Sequence, residues 1–288
     1  MIHMDSNSDK KDTSFLPWES FVFKSYNPVK YLSPDGKDQV KSNFIYKYLS
    51  EKGFKGTILN GIRFVEPSKW NDKFENRFYT ADYKNLNPTF NTMAFAACFT
   101  AAKHNEAAWK AYIDPTSSKT PAEQLCFRLK INRRRLKLAL RNVEDFTFYE
   151  APITYLPEHT IKNMHIPGIP GAIRIHNAFF QNPPFDLDKY LSLLTIKREH
   201  FSYEHEIRYF AVPNLYSAET NINTELFIGN GILDIVDEIF VARPYGVFKL
   251  SNEELEQVAR QYNIKDRHKL VSGDIYEDNT ELPITIEP

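Results

Sequence analysis

Residues 124–131, QLCFRLKI, set Leu125, Phe127, Leu129 and Ile131 against Cys126, Arg128 and Lys130. Alternate side chains of a strand share a face, so this stretch reads as a half-buried β-strand. Asn132 follows at once and is a capping residue for RRRLKLALRN, a basic helix. A strand that passes directly into a helix excludes a purely helical or purely β chain.

The same mixture recurs along the sequence. NFIYKYLS alternates Phe44, Tyr46 and Tyr48 with Ile45 and Lys47, and LNGIRFVEP places an Asn60-Gly61 turn before a short strand, Ile62–Val65, that Pro67 stops. MAFAACFT, FTFYEAPITYL and the apolar centre of VDEIFVARPY are further strand candidates. KHNEAAWKAYI suits a helix capped by Asn105, and residues 185–199 a second one. SNEELEQVARQYN is the clearest helix, because Ser251 and Glu254 form a capping box ahead of the Leu255, Val258 and Tyr262 stripe. Strands and helices alternate without regular βαβ order, so the expected fold is α+β, a mixed central sheet with flanking helices.

The organisation expected is a loose polar tail at 1–14, an N-terminal extension at 15–43 and a single α+β domain at 44–288. Residues 162–184, rich in proline and glycine, read as a long excursion. No internal repeat or low-complexity segment interrupts this pattern.

Composition narrows the function. Of 288 residues, 42% are hydrophobic and 25% charged, enough apolar material for a substantial core. Lysine and arginine total 36 against 37 acids, and the formal net charge of −1 gives no global attraction to nucleic acid or membrane. No apolar run approaches the roughly 20 residues of a membrane helix. The two cysteines, Cys98 and Cys126, do not make a secreted disulfide framework. The opening residues lack the apolar segment of a secretory signal. A cytoplasmic location is the expectation.

Three stretches hold candidate chemistry. In HFSYEHEIRYF, residues 200–210, an extended chain would line up Glu204, Glu206 and Arg208 on one face, with neighbours about 6–7 Å apart. The ordinary reading is a salt-bridge ladder, worth about 0–1 kcal/mol if exposed. In WNDKFENRF, Asp72 and Glu75 fit a capping box, and the alternative is that Asn71, Asp72 and Glu75 border a cleft. Together with Glu204 and Glu206 they would then suit Mg²⁺, as in a metal-dependent nuclease. The third stretch, RLKINRRRLKLALR, is a candidate nucleic-acid contact through Arg133, Arg134 and Arg135, or a solvated helix face. The histidines form no metal pattern, and no GxGxxG, P-loop or GxSxG motif is present.

Taken in order, YKYLS, GIRFVEPSKWNDKFE, AACFTAAKHNEAAWKAY, CFRLKI, ITY, FSYEHEIRYF and DEIFVARPY resemble the bacterial family called domain of unknown function 2971, over roughly residues 44–277. Tyr48, Asn71, Asp72, Glu75, Cys98, Phe99, Trp109, Tyr112, Glu204, Glu206 and Arg208 stand at the family's matching positions. Thr100 stands where serine is common in that family, and Lys73 where proline is. The Glu-x-Glu pair also resembles that of ADP-ribosyltransferase-like enzymes. That resemblance implies NAD as substrate, Glu206 as the catalytic acid that stabilises an oxocarbenium-like sugar, and Glu204 as the residue orienting the acceptor. It further implies that Tyr46, Tyr48, Thr100 and Arg208 surround the cofactor, with Lys47 in the same opening strand and Trp109 packed behind. A toxin or defence effector acting on a macromolecule is the role it suggests. A non-enzymatic ligand- or protein-binding module is the third alternative.

Overall fold

The structure, a computed structural model, describes residues 22–25, 29–33, 42–70, 72, 75, 94–103, 105–163, 191–192, 194–214, 225–228, 231–245 and 249–273. Its strands are β1 (Val22–Ser25), β2 (Val29–Ser33), β3 (Phe44–Ser50), β4 (Ile62–Val65), β5 (Phe95–Thr100), β6 (Cys126–Asn132), β7 (Phe146–Pro152), β8 (Thr154–Leu156), β9 (Ile196–Arg198), β10 (Glu206–Pro213), β11 (Glu225–Ile228), β12 (Val236–Ala242) and β13 (Leu270–Val271). The helices are α1 (Glu51–Asn60), α2 (Glu106–Ala111), α3 (Arg133–Arg141), α4 (Glu158–Asn163) and α5 (Asn252–Gln261). The main sheet runs β1-β2-β7-β10-β5-β3-β6-β12-β13, with β4 joined to β5 and β11 to β4. Most pairs are antiparallel, whereas β2 with β7 and β12 with β13 are parallel, so the fold is α+β with a mixed sheet. None of the described helices is long and apolar enough to cross a membrane.

Period-two alternation decides which face each side chain serves. Ile45 and Leu49 of β3 join Phe127, Leu129 and Ile131 of β6 in the larger core cluster, where Phe54 of α1 stacks on Phe127 with ring centroids 3.9 Å apart. Tyr46 and Tyr48 point the other way, into a second cluster with Trp109, Cys126 and Ala242. α3 and α5 close the larger core through Leu136, Leu140, Leu255 and Val258. Burying side chains of this size contributes about 1.5–3 kcal/mol each.

The strong local signals appear where expected: Asn105 caps α2, Asn132 caps α3, and the Ser251–Glu254 capping box opens α5. Other elements differ. Residues 22–25 and 29–33 of the N-terminal extension are strands of the main sheet, because β2 pairs with β7. Residues 51–60 form a helix whose apolar pattern Gly53 and Gly56 dilute; the Ser50 hydroxyl accepts from the Gly53 N–H at 3.2 Å, and Gly61, at φ +92°, closes it. A side chain built at Gly56 meets nothing within 4 Å. Gly56→Ala is therefore expected to stabilise the fold by about 0.5–1 kcal/mol, read as a rise in denaturation midpoint. An unchanged or lowered midpoint contradicts that reading of α1.

The helix expected at 185–199 does not extend through its second half. Ile196–Arg198 is strand β9, in parallel register with β8, and residues 199–204 form a 3₁₀ turn. Pairing with a strand some 40 residues away overrides the local pattern there. The N-terminal part, residues 185–190, lies outside the described residues, as does the excursion beyond residue 163.

Candidate functional site

The strand expected across 200–210 begins only at Glu206. Glu204 ends the 3₁₀ turn, and His205 takes a left-handed conformation with φ 43° and ψ 46°. One left-handed residue breaks the two-residue alternation, so Glu204 does not share a strand face with Glu206 and Arg208. β5 and α2 pin this turn: the Thr100 hydroxyl donates to the Glu204 carbonyl at 2.5 Å, the Ala101 N–H to the His205 carbonyl at 3.0 Å, and the Asn105 amide to the Tyr203 carbonyl at 3.0 Å.

Register then brings distant residues into one row. Glu206 of β10 stands opposite Thr100 of β5, and Thr100 stands opposite Tyr46 of β3. The Tyr46–Thr100 pair is the single residue pairing between β3 and β5 among the described residues, so the strands part beside it. A cavity of about 1220 Å³ opens along this divergence. Tyr46, Lys47 and Tyr48 line it from β3, Cys98 and Thr100 from β5, and Glu206 and Arg208 from β10. Glu204, Asp72, Glu75, Trp70 and Lys197 complete that side, while α1 presents Lys52, Gly53 and Gly56 and α2 presents Ala108 and Ala111.

The carboxylates form an ionic lattice. Lys197 places its ammonium 2.6 Å from Glu204 Oε2, 3.0 Å from Glu206 Oε2 and 3.1 Å from Glu75 Oε1. Three N–H donors meet three acceptors, which is all an ammonium can serve. Arg208, 1% exposed, donates from Nε to Glu206 Oε1 at 2.6 Å, from Nη1 to the Leu194 carbonyl at 2.5 Å and from Nη2 to Glu75, with its guanidinium carbon 4.3 Å from the Trp70 ring centroid. Beside this lattice, Arg198 binds Asp72 at 2.9 Å. Asp72 and Glu75 thus line the cavity, while the helix start expected after them lies outside the described residues. Arg208, expected near the cofactor, has its donors engaged by protein groups.

Burial alone would raise the Glu206 carboxyl, but Arg208 and Lys197 outweigh it and hold it at about 2. At Glu204 burial dominates and the carboxyl lies above its ordinary value, although the Lys197 hydrogen bond opposes the shift. Burial also pushes the Tyr48 hydroxyl and the Cys98 thiol up to about 12. Since Glu206 is depressed from 4.5, its stabilising contribution is full above that value and is lost as pH falls toward 2. Acid unfolding is expected to steepen over this window in the wild type and to flatten in Glu206→Gln. Identical acid profiles would contradict the assignment.

Trp109 does not line the cavity. It packs edge-on behind Tyr48, with ring centroids 4.9 Å apart, and the Tyr48 hydroxyl donates to the Lys103 carbonyl at 2.7 Å. Asn71 lies outside the described residues. On α3, Arg133 is buried and bonds Glu150 at 2.9 Å, and Arg135 binds Asp237 at 2.7 Å, while Arg134 is exposed. The basic run is thus partly internal wiring. Lys197, Arg198 and Tyr155, whose hydroxyl accepts from the Glu206 N–H at 2.8 Å, were not distinguished by any sequence signal. Among the described residues, no group of three metal-ligating side chains is arranged to hold an ion. Comparison of the chain with protein-family models, curated proteins and solved structures finds no match in any of the three.

Proposed function

We propose that the cavity binds NAD and that the protein is an ADP-ribosyltransferase-like enzyme acting on a macromolecule. The observation that carries this reading is the row Glu206–Thr100–Tyr46, contributed by three neighbouring strands to the wall of one cavity. Its volume exceeds the roughly 300–1,000 Å³ of common small-molecule sites, which suits an elongated dinucleotide. The walls also differ in charge. The β9–β10 side sets three carboxylates, Glu75, Glu204 and Glu206, against two cations, Lys197 and Arg208, whereas Lys52 comes from α1 and the Arg63–Glu225 pair from β4 and β11. The first wall suits developing positive charge and the second a diphosphate.

In the reaction, the bond between nicotinamide and ribose breaks with its electron pair leaving on nicotinamide. Glu206, held ionised, stabilises the oxocarbenium-like sugar, the electrostatic effect that dominates many active sites. Glu204, whose carboxylate burial makes more basic than usual, takes the proton of the attacking acceptor. Two carboxyls whose surroundings push them apart in acidity suit two such roles. The resemblance to the domain of unknown function 2971 family, a bacterial cytoplasmic setting and a toxin or defence role belong to the same proposal. Arg134 and Arg135 remain at the surface for a nucleic-acid acceptor.

The nuclease reading is weaker because Glu75, Glu204 and Glu206 already share Lys197 and a metal would have to displace that ammonium. Nicotinamide release from NAD by the purified chain, unchanged by chelator, is the expected result. Nuclease activity abolished by chelator, with NAD untouched, would overturn the proposal in favour of the metal enzyme. Binding without turnover of either would favour the recognition module.

A further inference from the structure

The cavity holds two half-buried or buried lysines in opposite surroundings. Lys197 is saturated by three carboxylates, and although burial opposes its charge, Glu206 and Glu75 keep its ammonium protonated. Lys47 has no carboxylate within ion-pair distance among the described residues. Its Nζ donates to the Cys98 carbonyl at 2.9 Å and lies 4.9 Å from the Phe99 ring centroid. The amine is ringed by protein and yet borders the open volume where β3 and β5 part.

We propose that Lys47 is an imine-forming amine, and that its substrates are aldehydes bearing phosphate, such as the ring-opened sugar of a nucleotide. A lysine desolvated next to an apolar ring is the form in which this side chain acts as a nucleophile. Burial pushes the Lys47 ammonium down; Cys98 on β5 and Glu206 on β10 oppose this weakly, and Arg63 on β4 adds to it. Lys52 borders the same cavity and supplies positive charge for the phosphate, while Arg63, also there, is paired with Glu225. In the step itself, the neutral Nζ lone pair attacks the aldehyde carbon as the carbonyl π bond breaks onto oxygen. A proton passes from nitrogen to that oxygen, and loss of water leaves the C=N bond. No oxidant or reductant is needed.

This goes beyond the NAD reading and rests on it only for one source of the aldehyde, the ADP-ribose left after nicotinamide departs. The test treats the full chain near neutral pH with pyridoxal 5′-phosphate, or separately with ADP-ribose, followed by borohydride, and maps the reduced adduct by peptide mass. Dominant labelling at Lys47 by pyridoxal 5′-phosphate is expected, at least tenfold above any exposed lysine, and lost in Lys47→Arg with no shift of label to Lys197. Labelling spread over surface lysines with Lys47 unmodified would overturn the proposal, and the wild-type map decides this even if the variant fails to fold. Labelling of Lys47 by pyridoxal 5′-phosphate in a chain that leaves NAD intact would sustain the amine's role while removing the transferase reading.

Discussion

Arg208→Met is expected to destabilise the protein by about 3–5 kcal/mol in urea unfolding, the cost of breaking a buried ion pair from one side. Arg208 is 1% exposed, and both carboxylates it binds, Glu75 and Glu206, are buried. Its removal leaves Lys197 alone to neutralise three acids, and it frees the Leu194 carbonyl that Nη1 satisfies. A domain with a total stability of about 5–15 kcal/mol would lose a large fraction of it. Arg198→Met is the internal comparison. That residue holds Asp72 in a more exposed pair, for which about 1 kcal/mol or less is expected. Equal and small losses in both variants would mean that the lattice is no more demanding than a surface ladder.

Glu206→Gln is expected to behave differently. The substitution leaves two carboxylates, Glu75 and Glu204, facing two cations, Lys197 and Arg208, so the lattice becomes neutral without stranding a charge. Folding should survive, while nicotinamide release falls by roughly 10²–10³-fold, the range found when one electrostatic stabiliser is removed. Because the amide keeps the size of the acid, the KM for NAD should change far less than kcat. A variant that folds and retains wild-type kcat would remove Glu206 from the chemistry.

How much of this was legible in the sequence depends on how far each signal reaches. Asn105, Asn132 and the Ser251–Glu254 box announce their helices because a cap is decided within four residues. The alternation of Phe127, Leu129 and Ile131 announces β6 because both faces of the strand are written in adjacent positions. β2 and β9 were hidden because each is a strand through its partner, β7 and β8. The cavity obeys the same rule. The resemblance to ADP-ribosyltransferase-like enzymes brings Glu206, Thr100 and Tyr46 among the candidates, but only register shows them to be one row. His205 carries no mark of its positive φ beyond being a residue type that tolerates it, and that angle is what takes Glu204 off the strand. Lys197 stood as an isolated lysine inside a segment whose spacing suggested a helix, so its three carboxylates could not be anticipated.

The most direct test is the crystal structure of Glu206→Gln soaked with NAD, where slow turnover preserves the ligand. The account predicts the nicotinamide ribose within hydrogen-bond distance of position 206, between the Thr100 and Tyr46 strands, and the diphosphate toward Lys52. A dinucleotide bound elsewhere on the protein, or lying in the cavity with its ribose turned away from position 206, would contradict it.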